Sequence, residues 1–264
     1  MKKHRKSLLK KRRWPQTADG GYKEIPLSFD IDWCNASRYC KGLPNFGYPV
    51  EPALAVEANG PRRLFVGNIH VGGGFDTIWQ EFVLGYSELR IWPMIITDDF
   101  DPTVTCQLDS VGISSSTLEA FMELTRLHDL TFFGLAAGCE TNSEFSYIPP
   151  DIGSGEKLLT VAAYSPADVP AHIGWIGAGH RGISPAIISS VLASWQERFG
   201  AVLMAMGNNC LKLQVPKLQL STEQENLLAL EHQLLCPDLK LDSPETKANY
   251  SRTVLKSRNW IFRW

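Results

Sequence analysis

The chain predicts an α+β fold, an antiparallel sheet with helices on one face. Its C-terminal part follows a ferredoxin-like order, β-α-β-β-α-α-β. Three observations carry this expectation. Short apolar runs alternate with stretches whose apolar residues recur every 3.6 positions. Helix-start signals stand at Ser184-Pro185, Ser221-x-x-Gln224 and Ser243-Pro244. Leu211, Leu213 and Val215 alternate with Lys212 and Gln214, the pattern of a half-exposed strand.

The C-terminal elements follow in order. Residues 158–164 are a short, partly β-branched strand. Ser184 caps the next helix and Pro185 fits its first turn. Ile187, Ile188, Val191, Leu192, Trp195 and Phe199 form its core face, and Gly200 supplies the left-handed stop. Residues 201–206 form a continuous apolar strand, and Gly207-Asn208-Asn209 turns into the alternating strand. The capping box Ser221-x-x-Gln224 opens a helix with Leu227, Leu228, Leu230, Leu234 and Leu235 on a broad apolar face, and Pro237 ends it. A third helix starts at Ser243-Pro244 and runs to about Ser257; residues 260–264 form the last strand.

The middle third is less patterned. Residues 64–69, 91–96 and 130–135 read as strands, and 75–86 and 117–127 as helices. Residues 141–155, with Pro149-Pro150 and two glycines, read as a linker. The expected organisation is therefore a basic tail and loop-rich segment over 1–50, an N-terminal α/β part over 51–145 and an α+β domain over 156–264.

At 264 residues the chain can bury an ample core, and 44% hydrophobic with 20% charged residues is ordinary for a globular protein. The net charge of −2 hides an asymmetry. Residues 2–13 carry eight Lys and Arg and no acid, leaving 18 basic against 28 acidic residues elsewhere, a balance of −10. Such an acidic body argues against a nucleic-acid groove, because phosphates need clustered cations; only the tail at 2–13 could serve one. No secretory signal and no apolar run of bilayer length is visible, so no membrane partner is expected. Six cysteines scattered without C-x-x-C pairs read as reduced thiols of a cytoplasmic protein.

Residues 191–201, with Trp195-Gln-Glu-Arg198-Phe199-Gly200, precede residues 229–238, with Glu231-His232 and Cys236-Pro237-Asp238, and the aromatic end Trp260-Ile261-Phe262-Arg263-Trp264. In that order they resemble a bacterial family known as a domain of unknown function, numbered 4253. The resemblance is strong over about 165–264 and weak over about 60–165. It implies a fold and no activity. Two departures are visible: Leu239 to Ser243 replaces the family's Asn-Ile-Trp-Gln-Gly run, and the chain's last strand stops at Trp264 without a following Asp.

The sharpest chemical constellation is Glu231, His232, Cys236 and Asp238. His232 and Cys236 are four apart, so they share a helix face and could both reach a zinc ion, with Asp238 beside them. A Cys–His nucleophile meets a physical objection: a helix C-terminus disfavours thiolate. The alternative is structural, with a buried Cys236, His232 bonding terminal carbonyls and Asp238 capping the loop. Trp260, Phe262 and Trp264 share one sheet face, which is either core or a partner-binding surface. Asp98, Asp99, Asp101 and Asp109 read as a solvated acidic loop, and Gly67 to Gly74 as a turn without phosphate-loop chemistry.

The expected function is a non-catalytic cytoplasmic binding protein, neutralising or regulating a protein partner, with no cofactor. Its candidate binding residues are Glu231, His232, Cys236, Asp238, Trp260 and Trp264. The rival is a metal-assisted hydrolase or metal-binding regulator with zinc on His232, Cys236 and Asp238.

Overall fold

The computed structural model describes residues 50–57, 61–68, 79–80, 82–84, 86, 91–97, 100, 116–139, 147–148, 157–163 and 165–264. The basic tail, Asp98, Asp99, Asp101, Asp109 and residues 69–74 lie outside them. The fold is α+β, as expected. Seven strands form one sheet: β1 (Val50–Glu57), β2 (Pro61–Asn68), β3 (Ile91–Ile96), β4 (Lys157–Ala162), β5 (Val202–Met206), β6 (Cys210–Gln214) and β7 (Asn259–Arg263). Among the described residues the helices are α1 (Thr117–His128), α2 (Val169–Ile173), α3 (Pro185–Phe199), α4 (Thr222–Leu235) and α5 (Pro244–Tyr250). Residues 79–80, 82–84 and 86 are also helical, within the helix expected over 75–86.

The element order from β4 to β7 is the expected one with the short helix α2 added before α3, but the pairing is not ferredoxin-like. The spatial order is β1-β2-β4-β3-β5-β6-β7. β3 lies between β4 and β5, antiparallel to the first and parallel to the second through Ile95↔Ala205 and Ile96↔Met206. The sheet is therefore mixed, and β7 pairs with β6 instead of returning to β4. Periodicity identifies a strand from its own residues, whereas its neighbour is chosen by long-range packing, and that is where the sequence reading failed.

The helix ends are built as their local chemistry dictates. Ser116 Oγ accepts from Glu119 N at 3.2 Å, and Glu119 Oε2 accepts from Ser116 N at 2.8 Å, a full capping box for α1. Ser184 Oγ accepts from Ile187 N, with Pro185 at the first helical position, and Gly200 ends α3 at φ +67°. At α4, Ser221 Oγ accepts from Gln224 N at 3.3 Å, but the Gln224 side chain accepts from Ala137 N, so it serves the upstream chain. The third predicted helix is regular only to Tyr250, and residues Ser251–Leu255 widen into a π turn.

Two further differences concern the middle of the chain. Residues 130–139 form no strand; the main-chain groups of Ala136 and Ala137 meet side chains of α3 and α4, as described below. β1 was not foreseen, because Pro52 and a register shift between Pro52 and Leu54 interrupt its alternation.

One cluster of buried apolar side chains runs from Trp79 and Trp92 through Trp195 to Trp260 and Phe262. All of β5 is buried. On β7, Trp260 and Phe262 are buried while Ile261 and Arg263 are exposed. The register Leu211↔Phe262 and Leu213↔Trp260 puts these four on the face covered by α3 and α4. The alternation in β7 had left core or open surface as readings, and Trp260 and Trp264, 0% and 8% exposed, belong to the core.

Candidate functional site

Every residue of the Glu231, His232, Cys236, Asp238 constellation sits at the C-terminal half of α4 or just beyond it. The chain turns them toward four different environments. Glu231 faces α3, His232 faces the aromatic side of β7, Cys236 closes the helix, and Asp238 lies on the surface.

Glu231 is 1% exposed and has every carboxylate oxygen satisfied. Oε2 accepts from Arg198 Nη2 at 2.6 Å and from Trp195 Nε1 at 2.8 Å. Oε1 accepts from Arg198 Nη1 at 2.8 Å and from Ala136 N at 2.7 Å. The fork-to-fork geometry is the strongest ion pairing available to these groups. Arg198 is itself held by Ser194 Oγ, which accepts from its Nε at 3.0 Å, and by the Phe199 ring, 4.8 Å from its Cζ. Arg198, read only within the Trp195–Gly200 motif, and Gln224, read only as a helix cap, were not candidate site residues from sequence. The available signal was Glu231 itself, a carboxylate set within the apolar stripe of Leu227, Leu228, Leu234 and Leu235, which requires a buried cation.

His232 is enclosed by aromatic rings. Its ring centroid lies 4.4 Å from that of Trp260, 4.6 Å from Trp195, 5.0 Å from Phe262 and 5.9 Å from Tyr250. Nδ1 is 2.9 Å from the Tyr250 hydroxyl, and Nε2 is buried with no hydrogen-bond partner among the described residues. Burial, aided by the nearby Arg198 cation, holds its pKa well below the usual imidazole value, so the ring is neutral. The same burial raises the Tyr250 phenol. His232 thus bonds a phenol where the sequence reading expected terminal carbonyls.

Cys236 is buried, and its thiol donates to the Arg263 carbonyl at 3.0 Å. Burial pushes the thiol up to about 11, against the smaller effect of that hydrogen bond. A protonated thiol beside a neutral, enclosed imidazole is not an activated nucleophile. Among the described residues no group of three His, Cys, Asp or Glu side chains is arranged to hold a metal ion. Asp238 turns outward to pair with Arg181, which replaces the loop-capping role expected for it.

The closing strand adds polar anchors. Trp264 Nε1 donates to the Leu235 carbonyl at 2.8 Å, and its backbone is tied to Asn209 in both directions. Trp175 Nε1 donates to the Gly207 carbonyl at 2.8 Å, and a Cβ at Gly177 would run into both the Trp175 ring and the Asn208 carbonyl. Apart from this cluster, Asp168 is buried beneath α3 with Oδ1 unpartnered among the described residues. Burial, partly offset by the Ser165 backbone amide, pushes its carboxyl up to about 7.

The residue types that look chemical in the sequence therefore secure the contact of α3, α4 and β7. No curated protein and no solved structure matches this chain. A family match covers residues 157–264, from the first residue of β4 through every element just described. Over this segment the chain is similar to the family described as a domain of unknown function (DUF4253).

Proposed function

We propose that this protein is a binding module for another protein and not an enzyme, and that it works from helix α1. The observation that carries this reading is the set of exposed apolar side chains along α1 and the segment after it. Leu118, Met122 and Leu127 are 50%, 41% and 42% exposed, and Phe133 is 71% exposed. Large apolar side chains concentrated in one short region are the usual mark of a protein contact. Glu119, Glu123 and Asp129 are exposed among them, with Arg126 the basic residue of that stretch. The partner that fits is a basic protein surface with apolar projections, which a domain with an acidic body would neutralise or regulate. The free thiols of Cys139 and Cys236 support a cytoplasmic setting.

The test compares the wild-type chain with a Leu118→Glu, Met122→Glu, Phe133→Glu variant, each with a photo-crosslinker at position 126. The expected result is one basic protein crosslinked to the wild type and lost in the variant, at unchanged thermal stability. Equal crosslinking by both would remove α1 as the surface. Elemental analysis of the same samples covers the rival: near one zinc per chain, lost in a His232→Ala, Cys236→Ala variant, would replace this reading with metal chemistry.

A further inference from the structure

Residues 135–139 cross α3 and α4 without regular secondary structure, yet the main chain of Ala136, Ala137 and Cys139 is hydrogen-bonded to them. Ala136 N donates to Glu231 Oε1 at 2.7 Å, and the Ala136 carbonyl accepts from Arg198 Nη1 at 2.7 Å. Ala137 N donates to Gln224 Oε1. Cys139 N donates to the Arg198 carbonyl at 3.1 Å. Each of these contacts reads backbone, so none depends on which side chain the segment carries. One acceptor and one donor meet the two main-chain groups of Ala136, as a neighbouring strand would. At Gly138 the two chains approach so closely that a Cβ would stand 3.1 Å from the Arg198 carbonyl oxygen and 3.3 Å from its Cα.

The receiving groups are held in place independently of the segment. Arg198 Nη2 and Trp195 Nε1 fix Glu231 Oε2, and Ser194 fixes Arg198 Nε. The pair is therefore preorganised, with Oε1 and Nη1 directed at whatever chain lies across it. Gln224, placed where it could complete the cap of α4, serves the segment as well.

We propose that Arg198, Glu231 and Gln224 form a peptide site that reads main chain, with an extended run of small residues as its ligand, and that residues 135–139 occupy it in cis. The site does not depend on α1 being a partner surface. A competing peptide of the same chemistry would bind by displacing the segment.

The test uses the full chain carrying Gly138→Val, which presses the segment off the Arg198 backbone and leaves all three reading side chains in place. A fluorescent synthetic peptide with the sequence of residues 134–141, made with Cys139→Ser, is titrated into this variant and into wild type. The variant is expected to bind the peptide about tenfold more tightly than wild type, whose site is filled. A second peptide with Ala136→Pro, lacking the N–H that meets Glu231, is expected not to bind. Amide exchange at Ala136, Ala137 and Cys139 should be slow in wild type and fast in the variant. No binding to a folded Gly138→Val chain, or equal binding of the proline peptide, overturns the proposal. Should Gly138→Val not fold, Gln224→Ala decides: exchange at Ala137 should quicken about tenfold, and an unchanged rate overturns it.

Discussion

The pair Arg198–Glu231 and the pair Arg181–Asp238 join the same two functional groups, and both carboxylates come from one short stretch after α4 begins. Their surroundings differ completely. The Glu231 and Arg198 side chains are 1% and 15% exposed, while those of Asp238 and Arg181 are 37% and 41% exposed. The buried pair carries two further donors and spans three segments of chain; the exposed one joins two loops in water. What a charged motif contributes is thus set by how much solvent remains around it, and not by its residue types.

The sharpest way to break this contrast is Glu231→Ala. It strands the partly buried Arg198 cation and the buried Trp195 indole N–H and Ala136 amide, and should cost about 3–5 kcal/mol in urea unfolding. A loss as small as that expected for Asp238→Ala would show that burial does not separate the two pairs.

Titration sharpens the comparison from another side, because His232 and Asp168 are buried without an opposite charge of their own. The imidazole of His232 is held below its unfolded value near 6.5, so the unfolded chain takes up the proton first as pH falls. Stability is then lost below about pH 6.5, by up to about 1.4 kcal/mol per pH unit. Asp168 acts in the opposite sense. Its folded value near 7 lies above the ordinary 3.8, so the unfolded chain releases its proton first as pH rises. Stability falls between about pH 4 and pH 7 with a slope of similar size. The two slopes offset each other between pH 4 and 6.5. Asp168→Asn should therefore unmask acid sensitivity, and His232→Gln should unmask a decline toward neutral pH, in urea melts from pH 4 to 8. Parallel curves for wild type and both variants would sink the assignment.

Smaller effects belong to the surface. Arg181→Ala should cost less than about 1 kcal/mol and less again in high salt. Phe133→Ser should leave stability within about 0.5 kcal/mol, because nothing is uncovered by its loss. A larger drop at Phe133 would mean that this side chain supports the fold and is not free for a partner.

What could be read in the sequence follows the same division between near and far. Ser116, Ser184, Ser221 and Ser243 act through amides three residues away, so the helix starts they govern lie within a local pattern. β3 and β6 were recognisable from their own residues. The order of strands in the sheet was not, since β3 meets β5 across more than a hundred positions. The same holds for the site. Glu231, His232 and Cys236 drew notice by residue type, but Arg198 lies 33 positions from Glu231, and the Gln224 contact with Ala137 spans 87. Residues 130–135 misled because an apolar run looks like a strand whether or not another strand takes up its amides; that of Leu130 meets the Thr125 carbonyl.

The position of β3 has a consequence for the family segment itself. A polypeptide limited to residues 157–264 would contain β4 and β5 but not the strand between them. Its sheet would be split by a gap one strand wide, about 10 Å from β4 to β5, with two raw edges facing each other. Such edges invite pairing with any extended chain, so the isolated segment should aggregate or borrow a strand. The boundary drawn by sequence similarity runs through the hydrogen bonding of the sheet, so in this chain the folding unit is longer than the matched segment.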